Sequence, residues 1–142
     1  MEEGKRKIEL YLPQICLGVD VSALFQSVFL LSQNGDLSLK KMSYCYVTNL
    51  AKTHPELCIL SLGTLVKDYH DVDAKVRGWA LRTICSLQVD GFSKDTYVYL
   101  IRALKDPDPY VRKIGIHGIL KQRLIEPDFY QSVGIILLFP EV

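Results

Sequence analysis

The sequence lacks the features that send a chain into or across a membrane. No apolar run reaches the roughly 18 residues that a membrane-spanning helix requires, and the charged first seven residues do not resemble a signal peptide. An excess of charge of one sign is also missing, because 17 basic residues stand against 16 acidic ones and leave a net charge of +1. We therefore expect a soluble protein that meets nucleic acid or membranes, if at all, only through a local basic patch.

Cysteine and histidine are too scattered to predict a metal centre or a disulfide framework. No C-x-x-C pair occurs, and no histidine lies at metal-ligand spacing from a cysteine. Each cysteine has apolar neighbours, so we expect buried free thiols in a reducing cytosol. The four cysteines are Cys16, Cys45, Cys58 and Cys85. We expect neither a metal nor a cofactor.

Motifs of catalysis are also absent. The sequence has no G-x-S-x-G, no glycine-rich phosphate loop and no H-E-x-x-H. His54, His70 and His117 are far apart and share no predicted helix face. The acidic residues within 71–73 and 106–108 are possible metal ligands, but they coincide with helix starts, where capping is the favoured role. We expect no catalytic residue and no enzyme activity.

Apolar residues recur at intervals of three and four, which is typical of α-helices. Aspartate or proline stands at most of the predicted helix starts. Pro13 falls inside the first helix, where we expect a break or a kink. The seven predicted helices cover about 5–17, 21–31, 39–50, 55–69, 74–87, 94–104 and 109–120. Asp90 and Gly91 are expected to end the fifth helix, and Ser93 to cap the sixth.

Internal repetition distinguishes a solenoid from a simple helical bundle. The pattern Asp-x-Asp-x-x-Val-Arg occurs at residues 71–77 and again 35 residues later, at 106–112. A weaker copy begins at Asp36, 37 residues before Asp73. Two helices in a unit of about 35 residues fit a stacked array in which each unit buries its apolar face against its neighbours. The sequence therefore predicts an all-α fold, an α-α superhelix of the HEAT or armadillo type.

Each position of the repeated pattern has a predicted structural role. The second aspartate caps the N-terminus of the second helix, and the valine one turn later faces the core. The arginine either reaches an aspartate of its own or the adjacent turn, forming a polar ladder along the stack, or is simply solvated. These structural positions are Asp73, Val76 and Arg77 in one repeat and Asp108, Val111 and Arg112 in the next.

Several segments match the motifs of one protein family in the right order. Residues 18–25 match Gly-x-Asp-Val-Ser-x-Leu-Phe, residues 39–46 match Leu-Lys-Lys-hydrophobic-x-Tyr-x-Tyr, and the segment 104–113 follows. In this series the chain resembles the N-terminal trunk of the β-type large adaptins, which are subunits of heterotetrameric vesicle-coat adaptor complexes. The segment Arg-Gly-Trp-Ala-Leu-Arg at 77–82, followed by Cys-Ser-Leu, most resembles the β subunit of the fourth adaptor complex.

The resemblance does not cover the whole chain. It extends over about residues 5–123, so we expect residues 1–123 to form an adaptin-like trunk fragment built of HEAT repeats. Residues 124–142 diverge and are expected either to pack on the last repeat or to form a sticky apolar surface. We therefore expect the chain to be a piece of a longer trunk.

The resemblance implies a non-catalytic scaffold in intracellular protein transport and vesicle-mediated trafficking. Its partners would be the second large, the medium and the small adaptor subunits, on the cytosolic face of trans-Golgi network or endosomal membranes. In related trunks an Arf-type GTPase in its GTP form packs against an early helix pair, at positions that match Ile59 and Leu62 on the helix that begins at Pro55.

Other residues are candidates for partner binding without a family precedent. Lys40, Lys41 and Lys113 recur near helix starts and can meet acidic partner surfaces or phospholipid headgroups, or can simply be solvated. Tyr110 follows Pro109 at a helix start and is expected to be exposed.

Two other functions fit an array of helix pairs. The first is a HEAT scaffold of unrelated purpose, such as a transport receptor or a kinase regulatory subunit. The second is a HEAT-like DNA glycosylase, which would need a basic groove and an aspartate to excise damaged bases. The balanced charge argues against such a groove, and we expect no nucleic-acid partner.

Overall fold

The computed structural model describes residues 2–33, 35–87 and 93–125, and these residues form helices and no strand. A single 3-10 turn, Ser22–Leu24, precedes the second helix. The eight α-helices are α1 (Glu2–Cys16), α2 (Phe25–Ser32), α3 (Leu37–Leu50), α4 (Pro55–Ile59), α5 (Leu62–Tyr69), α6 (Ala74–Ile84), α7 (Ser93–Leu104) and α8 (Pro109–Ile125). The predicted all-α fold is confirmed.

Aspartate side chains cap the starts of α3, α6 and α8. Asp36 accepts hydrogen bonds from the backbone N–H groups of residues 38 and 39 at the start of α3. Asp73 accepts one from residue 75 at 2.8 Å, and Asp108 accepts one from residue 110 at 2.7 Å. These bonds satisfy N–H groups that have no partner within the helix. The predicted capping by Asp73 and Asp108 is confirmed. The predicted turn at 90–91 lies outside the described residues, and the predicted cap at Ser93 concerns a side chain that is not among those described.

The helices form a stack of pairs in two layers. In the second layer, α6 lies between α3 and α8 and packs against both. In the first layer, α1 and α2 pack on α3, α5 packs on α6, and α7 packs on α8. Each pair therefore contacts its neighbours mainly through its second helix, which is the arrangement expected of an α-α superhelix of HEAT type.

One apolar core runs through the whole stack. Leu39, Leu65, Leu81, Leu100 and Val111 are all fully buried, and each comes from a different helix. Val76 and Val111 hold the repeated valine position, and both face the core as predicted. Burial of apolar surface between neighbouring pairs is the main force that holds the repeats together.

The first helix continues through Pro13, so the predicted break there is wrong. Proline removes one N–H donor from the helix. Pro13 lies in the exposed last turn of α1, three residues before its end, so only one hydrogen bond near the terminus is lost. The carbonyl of Pro13 still accepts a hydrogen bond from the N–H of Leu17 at 3.2 Å.

The single helix predicted from Pro55 to Tyr69 divides into α4 and α5. At the junction, the N–H groups of Leu60 and Ser61 donate to the carbonyls three residues before them instead of four. The Ser61 hydroxyl also donates to the carbonyl of Cys58 at 2.6 Å. Serine competes in this way with the helical pattern and favours a turn. As a result, Ile59 ends one helix and Leu62 begins the next.

Candidate interaction surfaces

Arg77 connects two repeats through a bidentate ion pair with Asp106. Its Nε and Nη2 atoms donate to the two carboxylate oxygens of Asp106 at 3.0 and 2.9 Å. Its Nη1 atom donates to the carbonyls of Asp71 and Val72, both at 2.9 Å. The guanidinium thus ties the start of its own repeat to the start of the next, and the predicted polar ladder is confirmed at this position.

The other repeats form the same contact only in part. Arg112 donates to the carbonyls of Asp106 and Pro107, both at 2.8 Å, just as Arg77 does in its own repeat. In the earlier repeat Lys40 replaces the arginine and pairs with Asp68 at 2.7 Å. The ladder therefore has two described rungs between repeats, Lys40 to Asp68 and Arg77 to Asp106.

Electrostatics reinforce both rungs. Burial raises the pKa of Asp106, but the Arg77 guanidinium and the N–H of Asp108 outweigh it and hold that pKa below its usual value. The hydrogen bond to Asp106 also raises the pKa of Arg77. In the other rung, the hydroxyl of Tyr44 donates to Asp68, and burial together with this carboxylate raises the pKa of Tyr44. The Asp106 carboxylate is thus held in its charged form inside the stack.

One predicted partner-binding residue, Lys40, forms an ion pair within the ladder and is largely buried. The ammonium group of Lys40 is held by Asp68, and its side chain is 13% exposed. Lys40 therefore joins two repeats and is not available to bind a partner. Lys41, the next residue, is exposed, and its ammonium lies 5.9 Å from the centre of the Trp79 ring. Lys113 is also exposed.

Tyr110 is half-buried, so the prediction that it is exposed is wrong. Its ring packs against the core and lies close over Gly78 of α6. A methyl group at Gly78 would lie 3.0 Å from Cδ1 of Tyr110 and 3.1 Å from its Cζ. The small residue in α6 makes room for the aromatic ring of α8, and sequence periodicity does not reveal such a pairing across 32 residues.

The two apolar residues predicted to meet a GTPase differ in exposure. Ile59 is 44% exposed at the end of α4, whereas Leu62 is only partly exposed and packs against the core. Between them, Leu60 is 67% exposed. The division of the predicted helix turns Leu60 outward, so the apolar surface at this junction consists of Ile59 and Leu60, with Leu62 at its edge.

The charged residues of the second helices, α3, α6 and α8, are all basic, although the whole chain has a net charge of only +1. Helices α3, α6 and α8 contain no aspartate or glutamate. Their basic residues are Lys40, Lys41, Lys75, Arg77, Arg82, Arg112, Lys113, Lys121 and Arg123. A net charge of +1 is thus compatible with a local basic patch on this layer. Counting acidic residues helix by helix would have revealed this layer from the sequence.

The histidines form no catalytic arrangement within the described residues. His54 lies between Asp20 and Glu56, with its ring nitrogens 3.4 and 3.3 Å from their carboxylates. His117 is exposed on α8. Within the described residues, no group of three His, Cys, Asp or Glu side chains is placed to hold a metal ion. None of the described helices combines the length and apolarity needed to cross a bilayer.

Comparison with known families accounts for the repeat and the motifs together. Residues 3–136 match the family model of the adaptin N terminal region. The chain belongs to the adaptin family. The match covers the whole described stack and extends past Arg123. The capping aspartates and the ladder are therefore features of an adaptin solenoid.

Individual relatives place this adaptin region among β-type large subunits. It is 38% identical over 128 residues to beta-adaptin-like protein A of Arabidopsis thaliana, covering 89% of this chain and 15% of the relative. It is 35% identical over 135 residues to the AP-1 complex subunit beta of Dictyostelium discoideum, and 34% identical over 135 residues to human AP-1 complex subunit beta-1. Each of the latter two matches covers 95% of this chain and 14% of the relative. The chain thus spans about a seventh of the length of these relatives.

Proposed function

We propose that this chain is part of the non-catalytic trunk of a β-type adaptor large subunit and acts as a scaffold in vesicle-mediated protein transport. The match of residues 3–136 to the adaptin N terminal region carries this proposal. The stack of helix pairs supports it, because such solenoids offer long surfaces for protein partners. The proposed partners are a second large, a medium and a small adaptor subunit. The proposed site of action is the cytosolic face of trans-Golgi network or endosomal membranes, reached through the assembled complex.

Affinity capture from cytosol tests this assignment. The immobilised chain is incubated with cytosol in the presence or absence of a non-hydrolysable GTP analogue, and bound proteins are identified by mass spectrometry. The proposal expects medium and small adaptor subunits in the bound fraction. Recovery of nuclear transport factors or of a kinase catalytic subunit in their place would support an unrelated HEAT scaffold and contradict the proposal.

Within this role, we propose that the junction of α4 and α5 contacts an Arf-type GTPase in its GTP form. Ile59 and Leu60 form an exposed apolar pair there, and Leu62 supports it from the edge. Exposed apolar residues at a rigid helix junction are typical of protein interfaces. Ile59→Asp is expected to weaken binding of the GTP-bound GTPase at least about tenfold, because a charge would be buried in an apolar contact.

A matched variant separates this effect from a general change in surface charge. Val72 is 98% exposed and lies away from the junction, so Val72→Asp adds the same charge at another apolar position. The GTPase should bind Val72→Asp as it binds the unchanged chain. Equal weakening by both substitutions would contradict a contact at Ile59.

Among adaptor complexes, we propose the fourth, on the strength of the segment 77–82 and the Cys-Ser-Leu that follows it. The alternative is the first complex, to which the Dictyostelium and human relatives belong by name. The affinity capture distinguishes the two, because the medium subunit differs between complexes. Recovery of the medium subunit of the first complex alone would overturn the narrower assignment and leave the trunk assignment in place.

For the other predicted contact residues, the structure favours exposed lysines. We propose Lys41 and Lys113 as contacts to acidic partner surfaces, since both are exposed. For Lys40 and Tyr110 we propose that substitution affects partners only through the stability of the stack, because both side chains are engaged within it.

Residues 124–142 are proposed to pack on the last repeat. Except for residues 124 and 125 at the end of α8, this segment lies outside the described residues. Helix α8 leaves Ile116, Leu120 and Leu124 exposed by 54%, 46% and 85%, which is the apolar face that a following segment would cover. A chain ending at residue 125 should bind more of a hydrophobic dye than the full chain. Equal dye binding would contradict the packing.

A further inference from the structure

A groove follows α6 on both of its sides in the layer of second helices. Between α3 and α6, Lys41, Trp79 and Arg82 line a depression of about 190 Å³. Between α6 and α8, Arg82, His117 and Lys121 line a second depression of about 310 Å³. Arg82 lines both depressions, which therefore adjoin each other at this side chain. We call the two depressions together the basic groove.

None of the described residues that line the basic groove carries a carboxylate. Its neutral residues are small, apolar or aromatic, among them Tyr44, Trp79 and Ile114. The groove thus alternates cationic side chains with apolar surface. Volumes of 190 and 310 Å³ accommodate individual side chains rather than a cofactor, which fits an extended peptide better than a compact ligand.

The cations of the groove have no carboxylate partner within the described chain. The ammonium of Lys41 lies over the Trp79 ring, and that of Lys121 donates to the Ser86 hydroxyl at 2.8 Å. No described carboxylate lies within ion-pair distance of Arg82. This contrasts with Lys40 and Arg77, whose charges are used within the ladder. The groove therefore presents three cations to a ligand.

Lys121 provides an independent sign that the groove lacks an anion. Burial lowers the pKa of Lys121, the Cys85 sulfur raises it in part, and the neighbouring ammonium of Lys52 lowers it again. Two neighbouring cations that repel each other are stabilised by a bound negative charge. A carboxylate placed there would offset both effects.

We propose that the basic groove binds an extended acidic segment of a partner protein, with its carboxylates on Lys41, Arg82 and Lys121. The apolar surface between these cations favours side chains of mixed character. An acidic peptide can place leucine or phenylalanine between its carboxylates, whereas a layer of lipid headgroups or a phosphate backbone cannot. This surface lies in a different layer from the junction of α4 and α5, and the proposal does not depend on which adaptor complex contains the chain.

The test is fluorescence anisotropy with a labelled eight-residue peptide of alternating glutamate and leucine. The full chain is expected to bind this peptide. Substitution of all three cations, Lys41→Gln with Arg82→Gln and Lys121→Gln, is expected to raise the Kd at least about tenfold, because three charge-assisted contacts are lost. The matched control is Lys67→Gln with Lys75→Gln and Lys105→Gln, which removes the same charge from exposed positions outside the groove. Its Kd should stay within about twofold of the original.

Several outcomes would overturn the proposal. These are the absence of peptide binding, equal weakening by both triple variants, and groove-dependent binding that is tighter for duplex DNA or phosphatidylserine vesicles than for the peptide. Circular dichroism verifies that each variant is folded. If the triple variant does not fold, Arg82→Gln alone replaces it, since Arg82 lines both halves of the groove. The single variant should weaken binding at least about threefold, and an unchanged Kd would contradict the proposal.

Discussion

Arg77 and Asp106 lie 29 residues apart in the sequence and join two neighbouring repeats through both carboxylate oxygens. The two side chains are only 15% and 13% exposed. The same guanidinium also holds two carbonyls at the start of its own repeat. One side chain therefore ties together the starts of two successive repeats.

Removal of this rung should destabilise the stack. Arg77→Ala leaves Asp106 without its partner at a largely buried site and frees two carbonyls. The pair is intermediate between an exposed ion pair, worth under about 1 kcal/mol, and a fully buried one, whose disruption costs about 3–5 kcal/mol. We expect a loss of about 2 kcal/mol in the free energy of unfolding, measured by urea denaturation. Arg77→Lys should restore only part of it, because an ammonium cannot make the same forked contact.

The control for this variant is an exposed cation in the same helix. Lys75→Ala should change the free energy of unfolding by less than about 0.5 kcal/mol. In a double-mutant cycle, Arg77→Ala and Asp106→Ala should not be additive. Additive effects would mean that the contact between the repeats contributes nothing of its own.

The same rung predicts how stability depends on pH. The pKa of Asp106 is lower in the folded chain than in the unfolded one, where it is about 3.9. The ionised carboxylate therefore stabilises the fold above about pH 4, and this stabilisation is lost as the pH falls through the folded-state pKa. Urea denaturation between pH 6 and pH 2.5 should show a steeper loss of stability for the original chain than for Asp106→Asn. Parallel curves would contradict this assignment.

At Gly118, α8 lies close to α7 and to the residue that follows α6. A methyl group there would lie 2.9 Å from the Cys85 sulfur and would also collide with the fully buried Leu100. Gly118→Ala should therefore lower the free energy of unfolding by about 2 kcal/mol, as overpacking of a core does.

A second helical glycine provides the opposite expectation. A methyl group at Gly63 of α5 would meet nothing within 4 Å. Gly63→Ala should stabilise the chain by about 0.5–1 kcal/mol, because alanine favours the helix and restricts the unfolded state. Stabilisation by both substitutions would show that α8 does not pack as closely as described.

The cysteines differ in exposure, contrary to the prediction that all are buried. Cys45 is exposed, whereas Cys58 and Cys85 are buried. Burial raises the pKa of the Cys58 thiol to about 11 and that of Cys85 to about 12. The side chain of Cys16 lies outside the described residues, so the test uses Cys16→Ser. At pH 8 this variant should react with a thiol reagent at one site when folded and at three when unfolded. Rapid reaction of two or more thiols in the folded state would contradict the burial.

Much of the fold follows from local signals in the sequence. Asp73 and Asp108 can be predicted as caps from the sequence, because capping requires only a short polar side chain beside the free N–H groups of a helix start. The repeat of 35 residues then predicts stacked pairs. The helix break at Ser61 was missed, because the hydrogen bond from its hydroxyl competes with a helix that apolar periodicity alone would continue.

The interaction surfaces were less predictable than the fold. The repeated arginine suggested a ladder, but only the packed stack shows that Arg77 reaches Asp106, whereas Arg112 bonds to carbonyls of its own repeat. Tyr110 stands beside a helix start, where exposure is common. Its ring nevertheless packs inward, because Gly78 has no side chain and leaves space for it. Such contacts depend on which helices become neighbours, and periodicity within one helix does not contain that information.

Exchange of this chain into a relative tests directly whether it functions as part of an adaptor trunk. In human AP-1 complex subunit beta-1, the segment that aligns with residues 3–136 is replaced by this chain and the chimaera is co-expressed with its three partner subunits. We expect a complete heterotetramer that purifies by gel filtration in the yield of the unaltered complex. A chimaera in which the segment folds but the partner subunits do not co-purify would contradict a role as part of an adaptor trunk.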